Sequence, residues 1–183
     1  MNSIKQIEVI YNNRLVGRLA LTREGLCAFE YSAEWLSSGF SISPFELPLR
    51  SGVFIAKPRP FEGGFGVFDD CLPDGWGLLI LDRYLQQKGI NPRTLTLLDR
   101  LALVGSTGRG ALEFRPDNSV VTRQDFADFE KLALEAEKIL ASDDYMGEGI
   151  EEFQDRGGSP GGARPKIFVR YNDKEWLVKF RAK

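Results

Sequence analysis

Leu72-Pro73-Asp74-Gly75-Trp76-Gly77-Leu78-Leu79-Ile80-Leu81-Asp82-Arg83-Tyr84-Leu85 decides the fold, because the apolar period changes within it. Before this stretch the chain reads as strands. Ile7-Glu8-Val9-Ile10-Tyr11 is β-prone, Asn12-Asn13 is a turn pair, and Leu15 to Thr22 follows with apolar residues dominant. A third strand is expected near Leu26 to Tyr31, then one helical turn over Ser32-Ala33-Glu34-Trp35-Leu36 with Ser32 as its cap. Residues 40–66 hold four prolines, which suits short extended pieces and loops.

After Gly77 the spacing turns helical. Leu78 to Leu85 predicts a helix that stops at Gly89. Asn91-Pro92 predicts the opening of a second helix carrying Leu95, Leu97, Leu98, Leu101 and Leu103. Gly105 to Gly110 reads as a connection, since it lacks the lysine-serine ending of a phosphate-binding P-loop, and Ala111-Leu112-Glu113-Phe114 as a short strand. Residues 123–141 form the clearest helix, with Phe126, Phe129, Leu132, Leu134, Ala136 and Leu140 marking its apolar side. The acidic residues opposite make it a surface helix in this reading. Residues 142–165 read as loop. Lys166 to Tyr171 and Glu175 to Phe180 then form a hairpin about Asn172-Asp173-Lys174. With an open edge and little to pack against, this tail is expected to be the least stable part of the chain. The fold class is α+β.

Composition narrows the chemistry. The 183 residues are 43% hydrophobic and 27% charged, which is ordinary for a globular chain. No stretch approaches the roughly 20 apolar residues that span a bilayer, and the N-terminus has no signal-peptide core, so a cytoplasmic protein is expected. Histidine is absent, which excludes imidazole-dependent catalysis and most zinc enzymes. The two cysteines, Cys27 and Cys71, have no metal-ligand spacing. The net charge of −2 hides an uneven layout: residues 123–155 carry 3 basic against 11 acidic residues, and residues 156–183 carry 8 basic against 2 acidic. Charge alone favours a solvated surface in which the two segments pair, although a short basic end also suits phosphate groups.

Two short motifs have chemical content. In Gly157-Gly158-Ser159-Pro160-Gly161-Gly162-Ala163-Arg164-Pro165-Lys166, four glycines around one serine let backbone amides approach phosphate oxygens, and Lys179 on a following strand can add a point charge. A flexible linker fits the same glycines. In Leu72-Pro73-Asp74-Gly75-Trp76-Gly77 the structural reading leads: Asp74 caps a helix and Trp76 packs beneath it, a partner or substrate surface being the alternative.

Taken in order, several pieces resemble one family. They are Val16-Gly17-Arg18-Leu19, Phe29-Glu30-Tyr31 with Trp35-Leu36, Leu47-Pro48-Leu49, and Phe68-Asp69-Asp70-Cys71-Leu72-Pro73-Asp74-Gly75-Trp76-Gly77. Gly110-Ala111-Leu112-Glu113-Phe114 with Pro116, and Ser159-Pro160-Gly161-Gly162-Ala163-Arg164-Pro165-Lys166, complete the set. Together they resemble the HipA-like serine/threonine kinases, the toxin component of bacterial HipA–HipB toxin–antitoxin pairs.

The resemblance implies a β-rich N-terminal domain with packed helices over residues 1–115, a helical connection over 116–149, and the glycine-rich loop and first hairpin of a kinase-like N-lobe over 150–183. It implies that Ser159 is autophosphorylated, and that Gly158, Ser159, Gly161, Gly162 and Lys179 bind nucleotide. ATP and Mg2+ are the implied ligands. The family's catalytic aspartate and magnesium ligands have no match here, so no catalytic or metal-binding residue is assigned. The chain alone is expected to be inactive and to bind ATP without great affinity. Implied partners are a HipB-like antitoxin or the remaining kinase portion, with no direct DNA contact and no membrane. One alternative is a non-catalytic module that binds or neutralises a separate HipA-like kinase, and another is a decayed gene product.

Overall fold

The computed structural model describes residues 4–119, 128–156 and 162–181. The fold is α+β, in two compact units. The first takes the chain up to Leu72 and from Leu95 to Ser119; the second takes Pro73 to Thr94 and the chain from Val120 onward. This partition is not sequential: the segment beginning at Pro73 groups with the C-terminal half, across the expected division at residue 115.

In the first unit, β1 (Gln6–Tyr11) and β2 (Arg14–Leu21) form a hairpin closed by Asn12 and Asn13. Both turn residues have positive φ, 48° and 60°, as a two-residue turn matched to strand twist requires. β3 (Cys27–Tyr31) and β4 (Val53–Ile55) extend the antiparallel sheet on one side and β5 (Glu113–Arg115) on the other, giving the order β4-β3-β2-β1-β5. Alternation puts Ile7, Val9, Leu19, Phe29 and Tyr31 into the core, and the register irregularity that skips Val16 in the β1–β2 pairing lets Val16 join them. Helix α1 (Ala33–Ser38) is capped as expected, the Trp35 amide donating to Ser32 Oγ. Helix α2 (Gly66–Asp69) buries Phe68, which had no signal in that loop-like composition.

The helix expected to open at Asn91-Pro92 begins later. Pro92–Thr94 is a short 3-10 turn belonging to the second unit. In the second unit, α3 spans Gly75–Gln87, starting earlier than the leucine run suggests. Back in the first unit, α4 (Leu97–Val104) starts at a capping box: Asp99 N–H donates to Thr96 Oγ1, and Thr96 N–H donates to Asp99 Oδ2. Thr96 Oγ1–H also donates to Asp99 Oδ2 at 2.7 Å, and the Ile4 amide donates to Oδ1 at 2.9 Å. Burial alone pushes the Asp99 carboxyl up, but the hydrogen bonds from Ile4 and Thr96 outweigh it and hold the group below the ordinary aspartate value.

The second unit corrects three readings. Residues 142–165 are not all loop, since α6 spans Gly149–Arg156 and buries Ile150 and Phe153. The tail does have something to pack against. The hairpin of β6 (Lys166–Tyr171) and β7 (Lys174–Lys179) shares a core with α3, α6 and α5 (Phe129–Ala141). Phe153 lies edge-on to Trp76, with centroids 5.0 Å apart, and to Phe180, at 5.8 Å. Trp76 is buried, as expected. Helix α5 turns Leu132, Ala136 and Ile139 inward, while Phe129, Leu134 and Leu140, expected on its apolar side, are exposed. It is therefore half core rather than a surface helix, and Phe126 lies outside the described residues.

Polar contacts complete the second unit. The buried Arg83 donates to the Ile139 carbonyl at 2.7 Å, serving the last turn of α5. Glu135 accepts from Lys138, at 2.7 Å, and from the Tyr145 hydroxyl, which hold its carboxyl below the ordinary value. The same hydrogen bond to Glu135 raises the Tyr145 hydroxyl to about 12.

Two outcomes are expected. Asp99→Asn should destabilise the first unit by about 1–2 kcal/mol at neutral pH, judged from hydrogen bonds to a charged acceptor. The native carboxyl is depressed, so its contribution is present above the unfolded aspartate value, about 3.9, and is lost as pH falls through the lower folded value. Urea melts should therefore show the wild-type advantage shrinking in acid, and a pH-independent difference would contradict this role. Phe153→Ala should cost the second unit about 3–5 kcal/mol, with early loss of native Trp76 fluorescence and of amide protection in β6.

Candidate functional site

The site lies in the second unit, where the start of α3 meets the start of β6. Asp74 occupies the cap position of α3, but its side chain makes no capping bond there. That corrects the expectation of a helix cap. Its Oδ1 instead accepts the amide of Gly162 at 2.9 Å. The return contact comes from the helix backbone, Trp76 N–H donating to the Gly162 carbonyl at 3.1 Å. Gly162 is thus held by both of its backbone polar groups.

Gly75 makes this approach possible. Its φ of +46° lies in the left-handed region, and a Cβ there would stand 2.7 Å from the Gly162 carbonyl carbon and 2.9 Å from the Ala163 nitrogen. The obstruction would be backbone, which cannot rotate aside.

Lys166 Nζ donates to the same Gly162 carbonyl at 2.6 Å, and only 3% of the residue is exposed. Asn172 and Asp173, with φ of 50° and 55°, close a two-residue turn that sets the register of the hairpin. That register makes Lys166 and Lys179 direct cross-strand partners. Like charges placed opposite each other are unfavourable. The Lys166 ammonium is pushed below its ordinary value, chiefly by burial and secondarily by the Lys179 charge, while Asp74 opposes the shift.

Of the nucleotide-binding residues expected from sequence, Gly158, Ser159 and Gly161 lie outside the described residues. Gly162 and Lys179 are described, and Lys166 links them: it bonds the one and pairs with the other. Sequence reasoning gave no role to Lys166, and placed Asp74 on a helix cap. A signal for Lys166 was present, since it and Lys179 stand equally far on either side of Asn172-Asp173.

Other candidates are chemically quiet. Cys27 and Cys71 are free, and burial raises both thiols to about 11, with Asp70 adding to the effect on Cys71. In the Gly105–Gly110 connection, the Ser106 amide donates to Asp117 at 3.1 Å, so an amide that an anion would need is already taken. Among the described residues no group of three or more His, Cys, Asp or Glu comes together to hold a metal. No described helix is long and apolar enough to cross a membrane.

A family model, the HipA N-terminal domain, matches residues 7–115. The chain belongs to this family. The HipA N-terminal match takes in the strands of the first unit, all but Gln6 at the start of β1, and it runs through Asp74, Gly75 and Trp76 in the second. No curated protein gives a match. Gly162, Lys166 and Lys179 lie beyond the HipA N-terminal match, so any role for them rests on the geometry described above and on sequence resemblance.

Proposed function

We propose that this chain is the N-terminal part of a HipA-like serine/threonine protein kinase toxin of a bacterial toxin–antitoxin system, acting in the cytoplasm. In this reading Lys166 and Lys179 face the phosphates of ATP beside a glycine-rich loop whose Ser159 is autophosphorylated. The cross-strand lysine pair is the observation that carries the proposal. Two opposed ammoniums, one of them buried, are relieved by an anion, and a loop-plus-lysine arrangement is how kinase lobes hold transferable phosphates. The described residues offer no cluster for Mg2+, and no metal-dependent step is assigned to them.

The partner half of the proposal is a HipB-like antitoxin or the remaining kinase portion. Apolar side chains on the first unit support it. Phe45 is fully exposed within the Ser43–Leu47 turn, and Val53 and Ile55 on the edge strand β4 are more than half exposed. The alternative, a binding module for a separate HipA-like kinase, draws on these same residues.

Two experiments test the halves separately. Titration with ATP and magnesium should shift the amide resonances of Gly162, Lys166 and Lys179 at millimolar concentrations in the wild-type chain. Lys179→Ala should remove most of the response; unchanged resonances in the wild type would overturn the nucleotide reading. Co-expression with neighbouring antitoxin or kinase reading frames should yield a complex on size exclusion. Phe45→Ser should weaken that complex without lowering the melting temperature, and migration alone beside every neighbour would overturn the partner reading.

A further inference from the structure

Asp74 forgoes the bond its position offers. An aspartate at a helix cap ordinarily accepts an amide from the first turn of its own helix. Here that local bond is absent, and the carboxylate reaches a residue far along the chain. Three further facts converge on the same point: the Trp76 amide holds the Gly162 carbonyl, Lys166 bonds that carbonyl, and Gly75 leaves no room for a side chain between them. The end of α3 is shaped around Gly162. The Asp74 carboxylate also acts on the Lys166 charge, as does the ammonium of Lys179.

We propose that Asp74 is the positioning residue of this site: it fixes Gly162, where the glycine-rich stretch approaches β6, and its charge sets how strongly the Lys166–Lys179 pair takes up an anion. The second half rests on the phosphate reading given above; the first does not. The inference concerns a residue inside the HipA N-terminal match acting on residues outside it, so the Leu72–Gly77 motif serves the glycine-rich stretch as well as its own helix.

Three variants of the full chain separate these roles. Asp74→Asn keeps a side-chain oxygen to accept from Gly162 and removes the charge. Asp74→Ala removes both. Gly75→Ala keeps Asp74 and displaces Gly162 sterically. Hydrogen exchange, which needs no ligand, should show the Gly162, Ala163 and Lys166 amides about five- to tenfold faster in Asp74→Ala and in Gly75→Ala, as loss of a hydrogen bond of ordinary strength implies. Asp74→Asn should stay near wild type, and the amides of α5 and α6 should be unchanged in all three. Should Asp74→Ala fail to fold, Gly75→Ala and Asp74→Asn still decide the point. Exchange at Gly162 that is the same in every folded variant would overturn the positioning role.

Binding of inorganic tripolyphosphate and of ATP should be about two- to fivefold tighter in Asp74→Asn than in wild type at low salt, with the gap closing at high salt. Equal or weaker binding would overturn the role of the charge. If even the wild type binds neither anion, the phosphate reading fails and the charge role with it, while the exchange experiment still decides whether Asp74 positions Gly162.

Discussion

A hairpin of two strands does not hold itself together in water, because one ladder of hydrogen bonds and one half-covered face do not offset the cost of ordering the chain. In this protein the burden falls on Phe153. Its ring meets Trp76 of α3 on one side and Phe180 at the end of β7 on the other, both edge-on. Ile150, Ile167 and Val169 fill the space around it. That wedge ties α3 and α6 to the hairpin, the same helix start and hairpin between which Asp74 meets Gly162.

Once the hairpin is seated, the chemistry at its open end follows from register. The turn at Asn172-Asp173 admits one pairing, and that pairing sets two lysines against each other beside an aspartate. A hydrophobic residue at position 166 would be the cheaper choice for a buried strand position. A chain that keeps a buried ammonium there, bonded to a glycine carbonyl, departs from what stability alone favours, and the proposed anion site gives that departure a use. The first unit shows the opposite pattern. Its buried carboxylate, Asp99, accepts from amides and a hydroxyl and belongs to the architecture, and its cysteines are buried (Cys27) or half-buried (Cys71).

Much of this fold was legible in the amino-acid order. Local rules found the strands of the first hairpin, the Ser32 cap, the final hairpin and the leucine helix, since each is set by neighbours within a few residues. They failed where distant contacts decide. Helix α6 is rich in acidic residues and buries only a few side chains, so its pattern is faint without the surfaces of α3 and β6 to receive Ile150 and Phe153. The buried face of α5 was misjudged because Leu134 and Leu140 are as apolar as Leu132, and only packing chooses among them.

The candidate site divides in the same way. The amino-acid order alone determined the α+β class and the family resemblance, and through that resemblance it singled out Gly162 and Lys179 as expected nucleotide-binding residues, because these readings rest on residue types in fixed sequence. It placed Asp74 at a helix start, with a partner or substrate surface as the alternative, since a cap is the nearest bond such a residue can make. Only the tertiary structure turned that carboxylate from its own helix to Gly162, and put Lys166 between Gly162 and Lys179. The physical reason is that a side chain with one local and one distant acceptor role is committed by what folding brings within 3 Å of it.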